Sequence, residues 1–372
     1  MHHHYIVPGF IDVHVHGLAG VDVLDGAGSV ATIADRLPRH GVTAFCPTTM
    51  ASGPEALRGV LSQVRNLREA PSSRRARVLP AHLESNFINP AYRGAQPAAC
   101  LRIPREALGL PDLQGPAYVG GPDVLVPGAP PSGPRGDFSG ADILHEIDRA
   151  VPDVGIVTLA PELDGGLDLI GWLTARGVRA SLGHSAATYE QALAAIAAGA
   201  RHATHLFNRM PPFEHRAPGL VGAVLQTDEI AAELICDGFH VHPAVIRTTI
   251  AAKRPSRVLA ITDGTAASGL AVGARAALGG QPITVGESAA FLDDGTLAGS
   301  TATMDRVFQM LVGQVGLPLV DAATVCATTA ARELGLVGHG VLAIDAVADL
   351  VVLDSQLALV QTYVGGELAY AR

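Results

Sequence analysis

Short apolar runs of four to eight residues, rich in β-branched side chains, recur along the chain and alternate with Ala/Leu/Arg-rich stretches of helical period. That alternation is the pattern of βα units on a parallel sheet. It predicts eight strands: Phe10 to His16, Thr43 to Pro47, Val78 to Glu84, Gly155 to Ala160, Arg179 to His184, His202 to Phe207, Ala231 to Cys236 and Val258 to Thr262. Helices are predicted over Ser29 to His40, Pro54 to Glu69, Ala141 to Val151, Leu167 to Arg176, Thr188 to Ala198, Pro243 to Ala252, Thr303 to Val315 and Asp321 to Glu333. Eight such units close into a (β/α)8 TIM barrel, whose working groups gather at the C-terminal ends of the strands.

Two stretches break the rhythm. Residues 98–135 are rich in Pro and Gly and hold no sustained period, which predicts an insertion or lid leaving strand 3 at the catalytic face. The tail, 341–372, has strand candidates at Ala348 to Leu353 and Val360 to Val364 and is expected to form a small, incomplete β-sandwich annex outside the barrel. Residues 1–7 read as a tag-like lead-in, which leaves 8–340 for the barrel.

Composition narrows the class. With 372 residues, 48% of them hydrophobic and 16% charged, the chain can bury a full core and is neither disordered nor fibrous. A net charge of −9 without a Lys/Arg run argues against nucleic acid and anionic membrane as partners. No apolar run reaches the ~20 residues needed to span a bilayer. Four scattered cysteines, Cys46, Cys100, Cys236 and Cys326, offer no thiolate zinc motif and suit a reducing cytoplasm.

Chemistry enters through the strand ends. His14 and His16 stand two apart in the first strand, so both imidazoles face one side. Strand 3 ends at Glu84, strand 5 at His184, strand 6 at His205 and strand 8 at Asp263. Any one of them alone is as well explained by a hydrogen-bonded core residue, and Asp263 by a turn before Gly264. Six ionisable groups at one barrel mouth are not: burying them would cost several kcal/mol each, which a divalent metal bonded to imidazoles and carboxylates compensates. Nitrogen and oxygen donors without thiolate favour zinc, with iron, manganese or cobalt also compatible.

The stretches PGFIDVHVHG (8–17), GVTAFCPT (41–48), HLESNFINP (82–90), VTLAPE (157–162), SLGHS (181–185), THLFNRMPPFEHRAPGLVG (204–222), ELICDGFHVHP (233–243), ITDG (261–264) and LAGSTATMD (297–305) together resemble the amidohydrolase superfamily. Within it they resemble the family of N-acetylglucosamine-6-phosphate deacetylases. The resemblance implies hydrolysis of the N-acetyl group of N-acetylglucosamine 6-phosphate to glucosamine 6-phosphate and acetate. It implies Glu84, His184 and His205 as main metal ligands, with His14 and His16 completing a second metal site in members that keep both, so one or two ions per chain. Asp263 matches the catalytic aspartate and faces the same metal site, as general base and then general acid, with His240 or the metal stabilising the oxyanion. Asn208, Arg216 and His240 match residues that contact the sugar phosphate, Arg216 reaching across from a partner in family homodimers. Gln96, in GAQP, stands where relatives carry His or Gln.

Three departures accompany the resemblance. Relatives usually read EGPF where this chain has Glu84-Ser85-Asn86-Phe87, which is expected to put two extra side chains near the substrate. Residues 98–135 are longer than the family pattern, and the chain reaches strand 1 almost at once, which leaves half a β annex. The competing functions are deacetylation of N-acetylgalactosamine 6-phosphate or of an unphosphorylated amino sugar, and a non-catalytic paralogue that binds sugar phosphate. Retention of all six metal-site positions argues against the last.

Overall fold

The computed structural model describes residues 4–72, 74–111 and 136–372. Eight parallel strands form the predicted barrel: Phe10–Val15, Val42–Thr49, Ala81–Glu84 with Arg77–Val78 ahead of it, Val154–Leu159, Arg179–Leu182, His202–Ala203, Ala231–Ile235 and Val258–Ile261. They are hydrogen-bonded in chain order. The eighth meets the first through a parallel bridge between Val15 and Gly264 and the 2.6 Å bond that Thr262 Oγ1 donates to Asp12.

The helices form where their patterns place them. Pro54–Glu69 starts on a proline at its first turn and buries Leu57, Val60, Leu61 and Val64, one stripe at helical spacing. Ser139 and Thr188 close capping boxes at the starts of Gly140–Ala150 and Tyr189–Ala197. Among the described residues no helix is long and apolar enough to cross a membrane.

The lumen is layered. At its base Ile11, Ala44, Cys46, Ile156, Ala231 and Leu259 form one buried cluster with Ala330 and Ala331 of the helix Thr329–Glu333. Strands that are not neighbours in the sheet can share such a cluster only across the barrel interior, so this is an apolar filling. A buried polar layer of His14, His82, His202, Thr158, Thr204 and Glu233 carries the strand ends and the cavity.

Outside the barrel, among the described residues, stand two four-stranded antiparallel sheets and a two-stranded pair, Gly17–Leu18 with Val21–Asp22. The tail contributes Leu350–Leu353, Leu359–Val364 and Glu367–Ala371, and Tyr5–Pro8, three of whose residues belong to the stretch read as lead-in, pairs with the first of them to make a single four-stranded sheet. The second sheet, Arg275–Leu278, Gln281–Val285, Ala289–Leu292 and Leu297–Ser300, follows barrel strand 8. Its Leu278 and Ile283 pack with Met50 and Ala95 at the barrel mouth, so it walls the cavity. Of the 98–135 stretch, Ala98–Cys100 is a 3-10 turn and Pro104–Leu108 a short helix, while 112–135 lie outside the described residues.

Candidate active site

Three strands end by turning one residue into the left-handed region: His184 at φ 47°, His205 at φ 28° and Asp263 at φ 48°. That conformation costs an L-residue roughly 1–2 kcal/mol and here it is held by captured carbonyls. Asn89 N donates to His184 O at 2.9 Å, Asn208 N to His205 O at 2.9 Å, and Ser300 N to Asp263 O at 3.0 Å. The kinks end the strands and swing the side chains over the lumen.

Two donor triads face the cavity, each with its atoms within 4.8 Å of one another: Glu84 with His184 and His205, and His14 and His16 with Asp263; a third such group, His14 with His82 and Glu233, lies beneath them. Glu84 Oε1 lies 2.7 Å from His184 Nε2 and 2.9 Å from His205 Nε2, and Oε2 lies 3.4 Å from His16 Nε2. His184 Nε2 and His205 Nε2 face each other at 3.0 Å, His14 Nε2 and His16 Nε2 at 3.2 Å. Asp263 Oδ1 is 3.3 and 3.4 Å from the latter pair.

This donor set fits a metal. Bonds of about 2.0–2.1 Å at tetrahedral angles put neighbouring ligand atoms about 3.3 Å apart, near the observed separations, and three protein donors per group leave a position open. The tautomers fit too: His184 Nδ1 is bound to Tyr92 O at 2.8 Å and His14 Nδ1 to Glu233 Oε2 at 2.9 Å, so both present Nε2. Burial alone would raise the Glu84 carboxyl, but the charge of His184 and the hydrogen bonds from His16, His184 and His205 hold it well below the carboxylate range. Burial lowers His16, yet Asp263 and Glu84 outweigh it and raise its pKa to about 10. The carboxylates therefore hold positive charge at this point.

Beneath lies a carboxylate that the sequence reading gave no role. Glu233, fully buried on strand 7, bridges His14 and His202, each at 2.9 Å, and accepts His205 N at 3.2 Å. Its signal in the sequence was a lone charge in the run AAELI. His82, also buried, is pushed down to about 3 by burial against the attraction of Glu233, and its neutral ring bonds Val13 O and Thr158.

Above the triads opens a cavity of about 490 Å³. Of the ten predicted site residues, His16, Glu84, Gln96, His184, His205, Asn208, His240 and Asp263 line it, His14 lies just below, and Arg216 is exposed on the loop after strand 6 and does not line it. Gln96 accepts Ala51 N at 2.8 Å and donates to Glu84 Oε2, which makes it a brace for that carboxylate as well as a wall. His240 Nδ1 is tied to Asp237 at 2.6 Å, and its buried Nε2 has no partner among the described residues.

One expectation is corrected. Ser85 and Asn86 do not face the substrate space: Ser85 Oγ donates to Thr158 O at 2.5 Å, and Asn86 Nδ2 donates to Ser52 O and Cys100 O at 2.9 and 2.7 Å. Buried backbone carbonyls claim both side chains, and neither lines the cavity.

Residues 173–369 match the amidohydrolase family. The chain is 38% identical to the N-acetylglucosamine-6-phosphate deacetylase of Rattus norvegicus, over 98% of this chain and 83% of that protein. It is 33% identical to the N-acetylgalactosamine-6-phosphate deacetylase of Escherichia coli O157:H7, over 98% and 87%. Among solved structures, an aspartate-to-alanine mutant of the N-acetyl-D-glucosamine-6-phosphate deacetylase from Mycobacterium smegmatis, in complex with N-acetyl-D-glucosamine-6-phosphate, superposes with a TM-score of 0.82 at 33% identity, over 98% of this chain and 87% of that one.

Proposed function

The chain belongs to the amidohydrolase family, in its N-acetylglucosamine-6-phosphate deacetylase branch, and we propose that it hydrolyses the N-acetyl group of N-acetylglucosamine 6-phosphate to glucosamine 6-phosphate and acetate. The observation that carries this reading is the convergence of Glu84, His184 and His205 with His14, His16 and Asp263 on the floor of one cavity. Acetate release from N-acetylglucosamine 6-phosphate, N-acetylgalactosamine 6-phosphate and unphosphorylated N-acetylglucosamine tests it. No release from any of them would leave the non-catalytic, sugar-phosphate-binding reading. The E. coli relative gives the galactosamine substrate its one specific support, and preferential turnover of it would replace the main reading.

The residues divide the work. Glu84, His184 and His205 would hold one divalent metal, most simply zinc, and His14 and His16 with Asp263 a second; iron, manganese or cobalt also suit these donors. A metal held there supplies Lewis acidity toward the acetyl carbonyl and lowers the pKa of water. Asp263 takes the proton of the attacking water and returns it to the departing amine. His240, with Nε2 free beside the cavity, stabilises the negative oxygen, and Asn208 and Gln96 orient the sugar.

Glu233 sets the direction of His14. Glu233→Gln keeps the shape but removes the charge between His14 and His202, and is expected to weaken metal retention at the His14/His16 group by 10–100-fold while the Glu84 group stays loaded. Metal analysis after dialysis reads this directly, and full retention at both groups would deny Glu233 that role.

Arg216, exposed and outside its own cavity, would act on a neighbouring subunit of a homodimer. Arg216→Met is expected to lower kcat/KM for the 6-phosphate substrate by roughly 10–150-fold, the worth of hydrogen bonds to a charged group. Coexpression with a His184→Asn subunit should restore activity, because the metal-competent site then receives the intact arginine of its neighbour. Without restoration, the reach across subunits fails. Four unpaired cysteines suit work in the cytoplasm.

A further inference from the structure

Arg209 is the one lysine or arginine among the described residues lining the cavity. Several other half-buried guanidinium groups sit on carboxylates, and Arg36, which does not, spends its donors on Leu18 O and Ala19 O. Arg77 reaches Asp349 at 3.0 Å, and Arg179 and Arg257 reach Glu333 at 3.2 and 3.1 Å. Arg209 has no carboxylate within ion-pair distance among the described residues, and its one side-chain hydrogen bond there is a long one, from Nη2 to Leu297 O at 3.4 Å. Five N–H donors at the edge of a cavity are thus almost wholly unspent. A cation partly withdrawn from water without a counterion lacks a partner that a ligand would supply.

The backbone puts the side chain there at a cost. His205, Phe207 and Arg209 all take positive φ, Arg209 at 53°, and this run turns the chain back so that Asn208, Arg209 and Met210 line the cavity. The turn is pinned by the bond from Ser185 N to Arg209 O at 3.2 Å, one residue beyond His184. Across from it Gly94 leaves the guanidinium room: a Cβ at that position would stand 2.6 Å from Arg209 Nε. Strain kept at a cavity wall is the kind retained for a function.

We propose that Arg209 is an anion-binding residue supplied by the chain to its own active site, and that it receives the phosphate of the amino-sugar substrate; the second half rests on the deacetylase reading above. With a net charge of −9, the field of the whole protein does not favour a phosphate dianion, so its binding depends on such local cations. A guanidinium matches a phosphate with two parallel N–H···O bonds. Arg216 and Arg209 thereby differ in kind: one acts from the neighbour, the other within the chain.

The test uses the metal-loaded full chain as wild type, Arg209→Met and Arg209→Lys. Calorimetry with inorganic phosphate reads the anion site without any turnover, and acetate release from the 6-phosphate and the unphosphorylated sugar reads the substrate assignment. Arg209→Met is expected to raise the Kd of phosphate by roughly 10–150-fold and to lower the preference for the phosphorylated substrate by a similar factor, at unchanged metal content, with Arg209→Lys recovering part of both. An unchanged phosphate Kd in Arg209→Met overturns the proposal, and so does an equal loss on both sugars. Weakened phosphate binding in a protein that releases no acetate would sustain the anion site and sink the deacetylase reading. Coexpression of Arg209→Met with His184→Asn should recover nothing; recovery would mean that the arginine works from the neighbouring subunit.

Discussion

Dialysis of the purified protein against a divalent-metal chelator is expected to abolish acetate release, and zinc or another divalent ion to restore it. The cavity offers no activated side-chain nucleophile: among the described residues neither a cysteine nor a serine lines it, and the hydroxyl of Thr265, which does, is directed to Ser300 O at 3.4 Å rather than to a base. With no activated side chain to attack it, the amide needs activated water, and the groups facing the cavity that can activate it are the two triads. Their ring nitrogens and carboxylate oxygens already stand 2.7 to 3.4 Å apart, close enough that without an ion they must share protons. Full activity in metal-free protein would refute the assignment. Replacing His14 and His16 together with Asn then counts the sites: loss of about one metal equivalent, with the Glu84 group still loaded, means two ions, and unchanged stoichiometry means one.

Asp263→Asn is expected to lower kcat by roughly 10² to 10⁴, the range for a lost general acid/base, with KM little changed. The substitution isolates the proton. Among residues with a side chain Asn is one of those that best tolerate the left-handed conformation Asp263 adopts at φ 48°, so the kink and the bond from Ser300 N should persist. It also keeps an oxygen toward His14 and His16, although a neutral one. The measurement is kcat alongside metal content: near-normal turnover moves proton transfer to another residue, and a loss that follows metal loss at the His14/His16 group makes Asp263 a ligand first.

The barrel was legible because each strand is an apolar run buried on both faces, for which the chain has no alternative use. The metal groups were legible because His14, His16, Glu84, His184, His205 and Asp263 interrupt or end such runs with charge. The sixth strand is where the local pattern misled: His202–Ala203 is all of it, since Thr204 turns its hydroxyl to Thr158 and Ser181 and His205 has already left the extended region. Helix Gly219–Gln226 escaped notice behind the PPFEHRAPG loop, whose prolines and glycine read as punctuation. The sheet from Arg275 to Ser300 had its turns in view, at Gly279-Gly280 and Asp293-Asp294-Gly295, but its half-buried strands lack clean alternation. Glu233 and Arg209 were missed for a deeper reason. What each does depends on partners, or on missing partners, that only the closed barrel brings near.

The filled lower lumen has a kinetic consequence. With Ile11, Ile156, Leu259 and Ala330 plugging the barrel below the buried histidines, the cluster has no back door among the described residues. Ion and sugar must pass through the same mouth, and in a fixed order: the ion enters first and leaves last. A seated substrate is therefore a cork, and metal exchange during steady turnover can run no faster than product departs. Idle protein should therefore lose its ion to a chelator faster than protein kept saturated with substrate.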